Sequence, residues 1–206
     1  MKKEKKMTVL KSIDYTKERL QDEYVDTIFD HCDFSELALC DVQFENCTFT
    51  ACNVSLCKCR GTSWSNVRFE GCKMTGINFS DANRFIFRAS FKDCQLQYAS
   101  FHALNLQGTL FEKCQIAEVD FAGCILKRVV FSDCDLTRAE FSQCNMENAD
   151  FFTARGYVIN SSQNRMRRAR FARHGLAGLL EDFGIEIVLA AFLNEAGRKP
   201  KLRMIV

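Results

Sequence analysis

The chain has 206 residues, 47% of them apolar, with 28 lysines and arginines against 26 aspartates and glutamates. Its length allows one globular unit or one elongated solenoid. The start MKKEKKMTVLKSIDY has no apolar stretch of the kind that secretory signals carry, and no run approaches the roughly 18 apolar residues of a membrane helix. We therefore expect a cytoplasmic protein that does not insert into membranes.

The first 23 residues are predicted to lead into a repeat region that spans residues 24–173. From Phe91 onward the chain divides into fives whose third letter is large and apolar, and neither a helix nor a simple strand gives that period. These third letters are Phe91, Leu96, Phe101, Leu106, Phe111, Ile116, Phe121, Leu126, Phe131, Leu136, Phe141, Met146 and Phe151. The same five-residue period runs from Phe29 to Phe79 in another frame. The change of frame indicates two extra residues, which we expect to form a bulge near residues 80–85.

A longer period of twenty residues is also present once the two extra residues are allowed for. One column along the chain is all phenylalanine, and the first letters of the following fives form a second column that is all cysteine. The phenylalanine column is expected to continue to Phe171. The predicted structural core is Phe29, Phe49, Phe69, Phe91, Phe111, Phe131 and Phe151, together with Cys32, Cys52, Cys72, Cys94, Cys114 and Cys134.

This pattern resembles the pentapeptide-repeat family, whose loose consensus is [STAV][DN][LF][STR]x. The resemblance covers roughly residues 24–171. It implies an all-β solenoid, a right-handed quadrilateral parallel β-helix in which five residues form one side and four sides complete a turn. In that fold each coil buries its apolar face only against its neighbours.

The chain contains twelve cysteines. In a reducing compartment free thiols are the default, and within a β-helix we interpret these residues as small apolar core residues. Neighbours in a parallel column are about 4.8 Å apart, farther than the Cβ atoms of a disulfide, and no ligand set suited to zinc is present. Cys40 alone is expected to point outward.

Residues 174–206 are predicted to form a C-terminal cap. HGLAGLLEDFGIEIV reads as a short amphipathic α-helix that stops at Gly184 and is followed by a strand through Ile185 and Ile187. In resistance-type members of the family a similar tail dimerises the protein. The resemblance therefore implies a homodimer through Leu176, Leu179, Leu180, Phe183, Ile185 and Ile187.

Enzymatic activity is not expected, because the three histidines lie in no motif that pairs them with a nucleophile or a carboxylate. No cofactor or metal is predicted. The outer surface of the rod must therefore carry the function.

Charge is unevenly distributed along the chain. Between Tyr24 and Thr153 there are 17 carboxylates and 11 lysines and arginines, whereas both ends of the chain are basic. Each side of the coil, stacked along the rod, forms one wall, and we call the wall with the phenylalanine column the phenylalanine wall. It carries the predicted partner-binding residues Asp30, Glu70, Asp93, Glu112, Asp133 and Asp150. The wall with the bulge is positive through Arg84, Arg88, Lys127 and Arg128.

Some family members are proposed to mimic DNA and to protect DNA gyrase or topoisomerase IV from quinolones or peptide toxins. The resemblance implies such a partner here, and the lack of long loops favours the compact toxin-immunity type. The alternative is a scaffold for an unrelated protein. Direct nucleic-acid binding through RMRRARFAR is not expected, because no aromatic residue is interleaved on that exposed basic face.

Overall fold

The computed structural model describes residues 7–187 and shows a parallel β-solenoid of eleven short strands. No helix in this range is long and apolar enough to cross a bilayer. The strands are β1 Thr8–Lys11, β2 Glu23–Val25, β3 Thr27–Asp30, β4 Gln43–Glu45, β5 Thr48–Thr50, β6 Ser63–Glu70, β7 Phe87–Lys92, β8 Leu110–Glu112, β9 Val130–Ser132, β10 Asp150–Phe151 and β11 Arg170–Phe171.

The main stack of strands runs in the order β1-β3-β5-β6-β7-β8-β9-β10-β11. Its register places Phe29 beside Phe49 and Phe91 beside Phe111, so the phenylalanines form one column as the period of twenty predicts. Their rings stack inside the solenoid, with centroids 4.6 Å and 5.0 Å apart in these two pairs. Leu10 continues the column below Phe29. Parallel pairing thus begins at β1, and eight coil steps give a stack about 38 Å tall.

The two-residue insertion lies between β6 and β7. Trp64 pairs with Phe87 but Val67 pairs with Ala89, so the register shifts within this strand pair. Phe87 is buried and takes the central place that the repeat frame gives to Ile86, which is 44% exposed. The extra residues are thereby pushed out of the coil, and Phe85 is 99% exposed at their tip.

Most sides of the coil end in a residue with left-handed backbone. Leu56, Tyr98 and Arg128 have φ values of 58°, 62° and 55°, although all three carry a Cβ atom. Each corner N–H is satisfied by the next coil: the N–H of Leu56 donates to Thr75 at 3.1 Å and that of Arg128 to Glu147 at 3.1 Å. These inter-coil bonds offset the unfavourable φ.

The core thiols act as hydrogen-bond donors as well as space fillers. Sγ of Cys57 lies 2.9 Å from the carbonyl oxygen of Phe34, and Sγ of Cys124 lies 3.0 Å from that of Phe101. Thr62 makes the same contact through Oγ1, 2.6 Å from the carbonyl oxygen of Leu39. A thiol or hydroxyl at such a place therefore bonds to the backbone of the preceding coil. Burial raises the pKa of Cys57 to about 12, which keeps this thiol protonated.

All twelve cysteines lie in the described range, and eleven of them are buried whereas Cys40 is half-buried. In the native protein at pH 8 we expect a thiol reagent such as Ellman's reagent to react quickly with one equivalent, because only thiolates that solvent can reach attack the reagent. All twelve thiols should react in guanidinium chloride. The Cys40→Ser variant is the control, and it should show no fast phase; several fast equivalents in that variant would contradict the buried thiol column.

The C-terminal cap differs from the predicted α-helix and strand. Two 3-10 helices, Arg173–Leu179 and Glu181–Phe183, are followed by Gly184 with φ 58° as the predicted stop. Residues 185–187 form no strand. Gly175 and Gly178 weaken an α-helix and let the first 3-10 helix pack on Tyr157, since a Cβ at Gly178 would lie 2.0 Å from the Tyr157 carbonyl oxygen.

Candidate protein-binding surface

The predicted acidic residues lie on the outer face of the phenylalanine wall, in positions next to the buried column. Three of the six are already paired with cations on a neighbouring coil. Asp30 lies 2.8 Å from Lys11, Glu112 lies 3.2 Å from Lys92, and Asp150 lies 2.7 Å from Arg170. Lys11 holds the pKa of Asp30 below its usual range. Half of the predicted carboxylates are therefore partly neutralised within the rod.

Asp150 has a structural role as well. Its Oδ1 accepts the backbone N–H of Phe152 at 2.9 Å, and Asp135 accepts that of Thr137 at 3.0 Å in the same way on the next wall. Aspartate and asparagine stabilise tight turns by this contact. Carboxylates at this place in the repeat help to close corners and are less available to a partner.

Glu70, Asp93 and Asp133 remain as exposed carboxylates that make no ion pair with any residue in 7–187. Lys92 lies close enough to Glu70 and Asp93 to interact with both, although its hydrogen bond is to Glu112. Asp133 lies two coils beyond Asp93, and its Oδ2 accepts a hydrogen bond from the hydroxyl of Ser132 at 3.4 Å. The phenylalanine wall thus carries both lysines or arginines and carboxylates, and three of its carboxylates are exposed without an ion pair to residues 7–187. We call Glu70, Asp93 and Asp133 the available carboxylates.

The excess of negative charge is concentrated in the first coils, a feature that the total for residues 24–153 conceals. Residues 14–50 contain ten carboxylates and two cations, Lys17 and Arg19. Residues 51–153 contain eleven of each sign, and residues 154–173 contain six arginines and no carboxylate. The rod therefore has an acidic end and a basic end. Sequence counts over shorter windows would have found this polarity.

The wall with the bulge carries exposed Arg84 and Arg88, and, further along, Lys127 and Arg128. Lys127 pairs with Glu147 at 3.0 Å, which lowers the pKa of that glutamate. A polar cleft of about 350 Å³ opens beside the insertion, with Asn66, Arg88 and Asn105 in its lining. The cleft lies where the register between β6 and β7 shifts, and the repeat pattern of the sequence did not indicate it.

Histidines and carboxylates also meet on the surface. His102 lies 3.6 Å from Asp120, whose Oδ2 is 3.2 Å from the hydroxyl of Ser100. This hydroxyl accepts the backbone N–H of His102 at 3.3 Å, so the serine is hydrogen-bonded to the carboxylate and the backbone of this group. Within residues 7–187 no three histidines, cysteines or carboxylates form a group that could hold a metal ion.

Coils of four five-residue sides, with apolar columns inside and left-handed corners outside, define the architecture. The sequence model of the family described as pentapeptide repeat region matches residues 24–101, 57–121 and 104–179, more than half of the chain. The chain belongs to the pentapeptide-repeat family.

Several solved structures are similar to this pentapeptide-repeat protein. Trypsin-treated QnrB1, a plasmid-mediated fluoroquinolone resistance protein, is 21% identical, with 88% of this chain and 98% of that chain covered and a TM-score of 0.45. HetL, involved in heterocyst differentiation regulation in the cyanobacterium Nostoc sp. strain PCC 7120, is 14% identical over 79% of this chain and 84% of its own, with a TM-score of 0.41. Likenesses of this order do not extend to function. No curated protein matches the sequence.

The predicted dimerisation residues lie at the basic end of the pentapeptide-repeat protein. Leu179 packs against the core cluster, whereas Leu176, Phe183 and Ile185 are 43%, 60% and 52% exposed. Leu180 and Ile187 are half-buried. The cap therefore presents apolar side chains that a second copy could cover, and dimerisation stays a prediction.

Gly178→Ala should detach the cap, because the added Cβ collides with backbone rather than with a flexible side chain. We expect light scattering at micromolar concentration to report a dimer for the wild type and a monomer for this variant. Gly184→Asn is the matched control, since the Cβ position there is open and asparagine tolerates left-handed backbone. A monomeric wild type would contradict the dimer, and a dimeric Gly178→Ala protein would place the interface elsewhere.

Proposed function

We propose that this pentapeptide-repeat protein is a non-enzymatic, DNA-mimicking protein that binds DNA gyrase or topoisomerase IV and protects it from a poison such as a peptide toxin or a quinolone. Its carboxylates occupy a DNA-binding surface of the enzyme. The partner is inferred from the resemblance to the topoisomerase-protecting members of the family.

The observation that carries the proposal is a set of available carboxylates held on a rigid rod. Glu70, Asp93 and Asp133 lie on one wall, and the acidic end adds an excess of eight negative charges over residues 14–50. A surface that binds phosphates through lysine and arginine also attracts carboxylates, and a charged rod is steered to it over a distance set by the salt concentration. The short bulge, without long loops, favours the toxin-immunity type over specialised quinolone resistance.

The test is a gyrase supercoiling assay with and without a quinolone or a peptide toxin, combined with a pull-down of purified gyrase in the absence of DNA at low salt. We expect the protein to be retained by gyrase and to restore supercoiling in the presence of one poison. No retention and no rescue with either topoisomerase would overturn the proposal. The DNA-free pull-down matters because binding to the DNA substrate would itself change supercoiling.

A scaffold for another protein is the second candidate, and one observation favours it. Phe85 is 99% exposed beside Ile86 at 44%, and exposed aromatic side chains often anchor protein interfaces. If Phe85→Ala weakens retention of gyrase without changing stability, the bulge belongs to the topoisomerase interface. Unchanged retention leaves the bulge free for a different protein.

A further inference from the structure

The last coil carries a cluster of arginines that the proposed function does not use. Arg165, Arg167 and Arg168 lie on one wall, Arg170 lies on the adjacent phenylalanine wall, and Arg173 begins the first 3-10 helix of the cap. All five are exposed. Arg170 pairs with Asp150, but the other four make no ion pair with residues 7–187. Here we call Arg165, Arg167, Arg168 and Arg173 the arginine edge.

The surroundings of the arginine edge do not neutralise it. Glu147 is close to Arg165 and Arg167, but its hydrogen bond is to Lys127. Arg128 lies two coils before Arg168, next to Lys127, and adds further positive charge. Four guanidinium groups are thus left for a partner of opposite charge.

We infer that the arginine edge binds the phosphate backbone of duplex DNA. Every cation in residues 154–173 is an arginine, and the planar guanidinium group is suited to bidentate contacts with phosphate. Three of the four arginines lie on one wall and Arg173 follows at the start of the cap, so their guanidinium groups can contact several phosphates of one duplex.

An exposed aromatic side chain lies beside Arg170 at this end of the rod. Phe152 is 53% exposed, and Cζ of Arg170 lies 5.6 Å from the centre of its ring. The lack of such a residue argued against nucleic-acid binding at the level of the sequence. Phe152 precedes Arg170 by 18 positions in the chain, and only the coil brings the two side chains together.

The binding test uses fluorescence anisotropy with a labelled 20-base-pair duplex and the full-length protein, without topoisomerase, between 50 and 200 mM salt. Four phosphate contacts predict a loss of affinity of roughly a hundredfold over this range, because each contact releases about 0.9 counterion. The variant Arg165→Gln, Arg167→Gln, Arg168→Asn should lower the slope of log affinity against log salt by about 2.7. Asparagine suits position 168, where φ is 60°.

The matched control is Arg60→Gln, Arg68→Gln, Arg84→Gln, which removes the same charge from exposed positions on earlier coils. Its slope should stay close to that of the wild type. No DNA binding by the wild type at 50 mM salt, or equal losses in both variants, would overturn the inference. Displacement of the duplex by polyglutamate of matched charge at equal concentration would overturn it too, in favour of an acidic protein partner. Because no topoisomerase is present, this outcome is independent of the proposed function.

Discussion

Replacing Phe111 with alanine should lower the free energy of unfolding by about 3–5 kcal/mol, the cost typical of removing a buried phenylalanine. Phe111 is fully buried, and its ring lies 5.0 Å from that of Phe91 below it and 5.0 Å from that of Phe131 above it. The cavity cannot be filled by a shift of one coil, because the inter-coil hydrogen bonds fix the spacing. Urea unfolding followed by circular dichroism measures the change.

The matched control for this prediction is Phe85→Ala. It removes the same atoms from a side chain that is 99% exposed, so its free energy of unfolding should change by less than about 0.5 kcal/mol. Similar losses in the two variants would contradict a packed aromatic column. A loss of stability confined to Phe111→Ala also identifies the column, rather than the bulge, as the source of stability in the middle of the rod.

The second large effect concerns the available carboxylates. The triple variant Glu70→Lys, Asp93→Lys, Asp133→Lys should weaken binding to gyrase by at least tenfold at low salt, because it turns three attractive charges into repulsive ones. Lysine fits all three places: Lys92 follows Glu70 in its column, and Lys113 stands between Asp93 and Asp133 with φ 53°. The measurement is retention on immobilised gyrase, with a thermal melt to verify folding.

The control is Glu36→Lys, Glu45→Lys, Glu140→Lys, which makes the same change in net charge on the other three walls. It should weaken gyrase binding by a factor of about three or less, through long-range steering alone. If both variants lose affinity equally, the total charge matters and the phenylalanine wall is not the binding face. If only the control loses affinity, the acidic first coils, which contain Glu36 and Glu45, are the interface instead.

The fold was largely predictable because its constraint repeats. Seven phenylalanines recur at the same spacing of twenty residues, once the insertion is allowed for. A single strand of the same sequence would not have distinguished a solenoid from another β fold. The insertion was located because two columns lose phase at the same point. The position of Phe87 was missed because the frame gives Ile86 the central place, and only packing decides which of two adjacent apolar residues fills the coil.

The surface was less predictable. The sequence places Asp30, Glu112 and Asp150 on the outside, but their partners Lys11, Lys92 and Arg170 lie 19 or 20 residues away along the chain. The meeting of such residues depends on the register between coils and on the chosen rotamers. For the same reason, the cap was read as an α-helix although its glycines pack on Tyr157 in 3-10 geometry.

The amino-acid sequence by itself determined the period, the inward columns and hence the family, because the apolar side chains buried in a repeating coil recur at fixed intervals along the chain. Only the tertiary structure decided which surface charges stay unpaired and how the corners are built. Leu56, Tyr98 and Arg128 show no local preference for left-handed backbone, yet each adopts it. The hydrogen bonds that hold these corners come from the neighbouring coil, and a residue's own sequence context does not contain them.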